Sequence, residues 1–213
     1  MNEQASDERT VWSGLAVLVR AFAGRAQNWL ALARNLIPVA GVYLLGWSKN
    51  LTVFGYWFEG LCMVAIIVIT LSIRVPEEKF RSAPWRQVPF FVLVTLLCGA
   101  FALFMVGIPY WMAYGALGLD VAFAEIRRTH AEISFLGMAA ALVVKAFLHG
   151  GYLTLGNDEL RERWQPDLHN LGGRALAMLA IAGWSLGYLL VPLIALLLTG
   201  IEVWPAMRRD LDL

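Results

Sequence analysis

A glutamate inside an apolar run is the first residue of this chain that could do chemistry. Glu59 lies in "GYWFEGLCMVAIIVITLSI" (Gly55–Ile73), where no other side chain carries a charge. Near the centre of a membrane helix a charged side chain costs roughly 2.5–3.5 kcal/mol on insertion scales. Such a carboxylate must be paired, protonated or turned toward a polar cavity. A second run, Ile133–Leu155, carries Lys145 and His149 as its only basic side chains. If both runs enter from the same face, Glu59 lies about 12 Å and Lys145 about 18 Å along their axes. The comparable depth predicts a direct Glu59–Lys145 contact. The plainer reading is an ion pair that holds two helices together without any turnover.

His149 is four residues beyond Lys145 and so shares its helix face. Tyr152, three residues further, extends that stripe, and Asn35 sits at a similar depth in an earlier run. Glu59, Lys145, His149, Asn35 and Tyr152 therefore form the candidate polar site inside the membrane. For His149 alone the simpler reading is a hydrogen-bonded histidine in a helix interface or at the headgroups.

Other chemistries find little support. No HxxxH, HExxH or CxxC spacing points to haem or zinc, so no metal site is expected and no cofactor is identified. No GxSxG elbow marks a serine nucleophile. Cys62 and Cys98 lie in apolar runs, where thiols behave as small hydrophobes. A net charge of +1 gives no footprint for nucleic acid.

The elements that must position these residues follow from composition. The chain is 59% hydrophobic, contains nine tryptophans and is only 15% charged, whereas soluble domains are about a quarter charged. Four runs approach the roughly 20 apolar residues that cross a bilayer: Leu51–Ile73, Val88–Ile108, Ile133–Leu155 and Ala175–Ile201. A fifth, Asn28–Ser48, is interrupted by Arg34, placed to snorkel, and by Pro38, which membrane helices tolerate. The expected fold is an all-α integral membrane bundle of about five transmembrane helices.

Before the bundle, Arg9–Gln27 has apolar residues at helical spacing and predicts an amphipathic helix at the interface, or one packed on the protein itself. Residues 1–27 are then a cytoplasmic polar tail and amphipathic helix, 28–204 the bundle, and 205–213 a short polar tail. Pro109–Glu132 is too polar to span, though its first part suits a shallow interfacial helix. After Gly156, a short surface helix through Glu159–Trp164 is expected to end at Pro166. The acidic N-terminus argues against a cleaved export signal. With five spans, eleven of the seventeen Lys and Arg fall on the N-terminal side and five on the other, which predicts a cytoplasmic N-terminus and an outer C-terminus. Gly183 and Gly187 in "GWSLG" suggest a close helix contact, within the chain, in a homo-oligomer or in a larger complex.

"RNLIPVAGVYLLGWS" followed by "YWFEG" resembles the start of an uncharacterised bacterial and archaeal multi-pass family, domain of unknown function 6498. The likeness is carried by Asn35, Pro38, Gly41, Gly46, Trp47, Tyr56, Trp57 and Glu59. It implies a polytopic helical membrane protein and makes Glu59 and Asn35 deliberate features; the expected location is the bacterial inner membrane. It implies no activity. Gly60 departs from the polar residue expected beside the glutamate.

The leading function is therefore binding or transport of a small molecule or ion, with membrane lipid as surroundings and no nucleic acid as partner. A water-accessible cavity reaching Glu59 would favour it. A lateral opening toward lipid beside Glu59 or His149 would favour an intramembrane enzyme on a lipid-like substrate. A closed interior would favour a non-catalytic subunit.

Overall fold

In a computed structural model of the chain, the described residues are 16–80 (backbone alone for 71–80), 123–149, 152, 155–183 and 187–210, with scattered positions between 89 and 112. All regular structure among them is helical. Helix α1 spans Ala26–Tyr43, α2 Lys49–Phe80, α3 Phe123–Arg128, α4 Ala131–Val143, α5 Asn157–Gly183 and α6 Gly187–Asp210, and α4 continues into a π-helical turn, Val144–His149.

Local chemistry fixes the α1–α2 corner. Helix α1 closes through the Leu44 N–H to Ala40 O bond at 2.8 Å, and the Trp47 N–H returns to Gly41 O at 2.9 Å. Between them Gly46 adopts φ +67°, the left-handed conformation that a side chain disfavours. The Trp47 ring lies so close to Gly41 that a Cβ there would sit 2.3 Å from it. Ser48 then caps α2, accepting the Leu51 N–H on its hydroxyl at 3.1 Å, while Glu125 of α3 accepts the Ser48 N–H at 3.0 Å. The glycines, the tryptophan and the capping serine act together as one corner.

Contacts fix the helix directions. Helices α1 and α6 are antiparallel: Ala31 packs with Val203 and Met207 at one end, and the Tyr43 hydroxyl donates to Tyr188 O at the other. Helices α2 and α5 are antiparallel, since Val53 and Tyr56 meet Met178 and Ile181 while Met63 and Ile66 meet Leu160. Helix α4 runs parallel to α2, pairing Ala131 with Leu51 and Leu142 with Met63. The start of α1 and the end of α6 therefore lie at the same end of the bundle.

The last expected span is corrected, because its run reverses direction part-way. The run Ala175–Ile201 is not one helix: α5 ends at Gly183 and α6 starts at Gly187. A Cβ at Gly187 would lie 2.6 Å from Ile181 O, a close approach that glycine alone allows. Gly183 ends α5 and Gly187 starts α6, so the two do not share one helical face. The expected stop at Pro166 is also corrected, because α5 continues through it. A proline removes one i−4 bond, and here the matching carbonyl belongs to Glu162, an exposed residue that water can serve. The helix start at Asn157 after Gly156 is as the sequence indicates.

Two stretches are long and apolar enough to cross a membrane, Lys49–Thr70 and Gly187–Pro205. Among the described residues that is the number, against about five expected. Helix α1 has 18 residues, with Arg34, Asn35 and Pro38 on its buried side. Helix α5 is polar over its first half, and α4 has only 13 residues before the π turn. The run Val88–Ile108 falls largely outside the described residues, although Gly99 faces Val68 of α2. Residues 16–23 are helical, and Leu18, Ala21 and Phe22 pack on Ala31, Val203 and Met207, the alternative in which that helix rests on the protein itself.

Candidate functional site

Helix faces bring the polar residues together. The buried side of α5 runs Leu160, Asp167, Asn170, Arg174, Ala177, Met178 and Ile181, a 3–4 spacing with its polar members grouped in the middle. The buried side of α1 is polar: Asn28, Arg34 and Asn35 point inward while Trp29 and Leu36 are exposed. Helix α2 contributes Glu59 and α6 contributes Thr199 and Glu202. The π turn at Val144–His149 carries Lys145. A π turn widens the helix by one residue per turn and recurs at functional sites.

Glu59 is fully buried and held by two arginines. Arg34 Nε lies 2.6 Å from its Oε1, and Arg174 Nη1 donates to its Oε2. Arg34 also donates through Nη2 to Glu202 Oε2, which accepts Asn170 Nδ2 at 2.9 Å as well. Glu202 Oε1 is 2.8 Å from Lys145 Nζ, and Lys145 reaches on to Asp167 Oδ1. The charges form one alternating chain: Arg174, Glu59, Arg34, Glu202, Lys145, Asp167. Three cations and three anions cancel, so the interior carries no net charge. Each ion has at least one opposite neighbour, which is the condition for burying charge at all.

Neutral groups finish both ends. Asn35 Oδ1 accepts from Arg174 Nη2 at 3.0 Å, and Asn35 Nδ2 donates to Thr199 Oγ1 at 3.1 Å. At the other end the Tyr152 hydroxyl donates to Asp167 Oδ2. The Tyr152 ring lies edge-on to Trp164, centroids 6.3 Å apart.

The ends differ in access. The side chains of Arg34, Arg174 and Glu59 are at most 1% exposed, whereas Lys145 is 21% exposed. Lys145, Asp167 and Tyr152 line a cavity with Met63, Ile66 and Leu142, whose free volume of ≈ 10 Å³ is about what one water needs. Asn170 Oδ1 and Arg174 Nε are among the fully buried polar atoms that have no hydrogen-bond partner.

Of the predicted site residues, Glu59, Asn35, Lys145 and Tyr152 all belong to this one network. The direct Glu59–Lys145 contact is not made: Arg34 and Glu202 stand between them, because each acid finds a nearer cation on a different helix. His149 closes the π turn, and its side chain lies outside the described residues. Sequence reasoning missed Arg34, Arg174, Asp167 and Glu202. The Asp167–Asn170–Arg174 spacing was the available signal, one helix face continuing into the apolar residues Ala177, Met178 and Ile181. Among the described residues no group of three or more His, Cys, Asp or Glu is placed to hold a metal ion.

The profile of the Family of unknown function (DUF6498) matches residues 18–171, and the chain belongs to that family. No curated protein and no solved structure matches it significantly. The matched region holds Arg34, Asn35, Glu59, Lys145, Tyr152 and Asp167. The network's remaining members, Asn170 included, are split between its last residues and the part of the chain beyond.

Proposed function

We propose that this member of the family is a multi-pass integral membrane protein that binds or transports a small ion or molecule at the open end of its buried charge chain. The polarity of the bundle supports the membrane part. Leu189, Leu193, Leu196 and Leu197 of α6, Ile133 and Leu136 of α4 and Leu176 of α5 are exposed, while Arg34, Asn35, Glu59 and Arg174 are buried. In water that arrangement is upside down; in hydrocarbon it is the stable one. Taking the apolar run Val88–Ile108 as one crossing and α5 and α6 as two, our reading has six crossings in place of five, with both termini on one side. On that topology the basic residues of the N-terminal segment, of residues 74–86, of residues 161–163 and of the C-terminus fall together. Only Lys49, Arg127 and Arg128 face the other way. The bias is stronger than in the five-span reading and supports a cytoplasmic shared side.

The observation that carries the site is the asymmetry of the chain: closed around Glu59, open at Lys145 onto a cavity. Two experiments test the reading. Alkaline carbonate should leave the protein in the membrane, and cysteines added at each terminus should react with a permeant maleimide only. Extraction into the soluble fraction would refute membrane integration. Thermal stability in lipid nanodiscs should rise with at least one of a panel of inorganic ions and small polar metabolites, and Asp167→Asn should lose that response. A flat panel would refute binding.

A second reading has its own support. Both oxygens of Glu59 are on arginines, and Glu59 is not among the residues lining the cavity at Lys145, which favours a structural network inside a non-catalytic membrane subunit.

A further inference from the structure

We propose that the cavity lined by Lys145, Asp167 and Tyr152 seats the headgroup of a zwitterionic phospholipid with a primary ammonium, phosphatidylethanolamine being the type. The inference rests on the reading that this end of the charge chain binds a ligand, and it names the class of ligand.

Charge, size and depth carry it. The polar side chains lining the cavity are one cation, one anion and one hydroxyl: Lys145, Asp167 and Tyr152. The six charges of the chain already balance, so a guest of either net sign would leave buried charge uncompensated. A zwitterion keeps the sum at zero, and Lys145 keeps its proton. The free volume of ≈ 10 Å³ is about that of one water, which is also the bulk of a primary ammonium. A trimethylammonium is too large for it.

Depth selects a lipid over a soluble zwitterion. The stretches apolar enough to cross end at Thr70 on α2 and at Pro205 on α6. Ile66 and Ile67 of the cavity wall come just before the first end, and Glu202, on Lys145 at 2.8 Å, just before the second. At about 1.5 Å per residue the cavity is roughly 5 Å inside the apolar layer. Headgroups meet acyl chains at that level, and the apolar walls Met63, Ile66 and Leu142 match its acyl side. The donors and acceptors also suffice. An ammonium has three N–H groups, of which Asp167 and Glu202 take two from Lys145, and the third is available to a phosphate oxygen. Asp167 accepts from Lys145 and Tyr152, and a carboxylate has lone pairs for a further donor, the ammonium of the lipid.

The test is thermal unfolding of the full chain at neutral pH in phosphatidylcholine nanodiscs, with rising shares of phosphatidylethanolamine or of phosphatidylglycerol. Phosphatidylethanolamine should raise the Tm of wild type saturably, by about 3–6 °C near a tenfold excess over Kd. Its N-methyl and N,N-dimethyl forms should do so progressively less, and anionic phosphatidylglycerol not at all. Asp167→Asn should abolish the rise. If that variant fails to fold, Ile67→Phe decides, since it fills the cavity from a half-buried position and leaves every charge in place. Soluble glycerophosphoethanolamine, added to pure phosphatidylcholine discs, should give a smaller rise. Equal Tm with and without phosphatidylethanolamine, an equal rise with phosphatidylglycerol, or a rise that survives both variants overturns the proposal. A rise with the soluble headgroup and none with the lipid overturns the lipid assignment. Those failures are separate from failure of the broader reading, which is judged by the ion and metabolite panel in phosphatidylcholine discs and by membrane extraction.

Discussion

Replacing Arg174 by glutamine tests whether the six charges behave as one unit. Arg174 supplies one of the two cations on Glu59 and the 3.0 Å donor to Asn35 Oδ1. Its removal leaves a net negative charge in the interior and an amide oxygen without its donor. Breaking a buried pair from one side costs about 3–5 kcal/mol, because the surviving charge stays buried. Single hydrogen bonds inside membranes contribute far less, about 0.6 kcal/mol on average. The charge imbalance should therefore dominate, lowering Tm by about 6–20 °C for a chain of this size. Glu59→Gln should cost a similar amount, leaving Arg34 and Arg174 in excess. The double variant keeps Arg34, Glu202, Lys145 and Asp167, two cations against two anions, and should be more stable than the sum of the single losses by at least about 1.5 kcal/mol. Unfolding in lipid nanodiscs, followed by tryptophan fluorescence, gives the three values. Arg128→Gln, at an exposed position, serves as the control within about 0.5 kcal/mol. Strict additivity of Arg174→Gln and Glu59→Gln would refute a coupled chain.

The corners offer independent checks. Gly187→Ala pushes a Cβ against the Ile181 backbone at 2.6 Å, which cannot yield, so a Tm loss of several degrees is expected. Gly41→Ala meets the Trp47 ring at 2.3 Å and should cost about 1–3 kcal/mol, whereas Gly137→Ala, with open space around it, should be neutral or stabilising. Tyr152→Phe removes the donor to Asp167 but keeps the ring beside Trp164, so about 1–2 kcal/mol should be lost in thermal unfolding.

Much of the site was legible because a charge in an apolar run is conspicuous. Glu59 and Lys145 stand out on those grounds, Tyr152 by its helical spacing and Asn35 by its depth, and all four join the network. The resembling residues also acquire causes: Gly41 and Gly46 make room for the Trp47 corner, and Asn35 ends the charge chain. Partners were harder to read than members. Depth along separate helices says nothing about which helices touch, so Glu59 was matched with Lys145 across a space that Arg34 and Glu202 fill. Arg34 looked like a snorkelling residue because hydropathy marks any arginine as external. The α5–α6 break was hidden by an apolar run that continues through both helices, although 27 residues exceed the roughly 20 that one crossing needs.

The choice of cation along the chain distinguishes a strut from a working site. Arg34 and Arg174 sit where almost no surface is exposed, and their charge is permanent and forked, suited to bridging fixed acids. Lys145 sits where the cavity begins and carries the one compact, point-charge head of the three cations. A bridge between Asp167 and Glu202 that served only to hold helices would be served better by arginine, and the adjoining cavity gives the larger head some room. Lys145→Arg is therefore the discriminating substitution. The chain remains neutral, so Tm at neutral pH should stay within about 1 kcal/mol of wild type or rise. The stabilisation expected of wild type from the panel of ions and polar metabolites should weaken, since the larger forked head fills the cavity that a ligand would enter. If Lys145→Arg kept that response, the ligand would be binding elsewhere, and the chain would be a structural network from end to end.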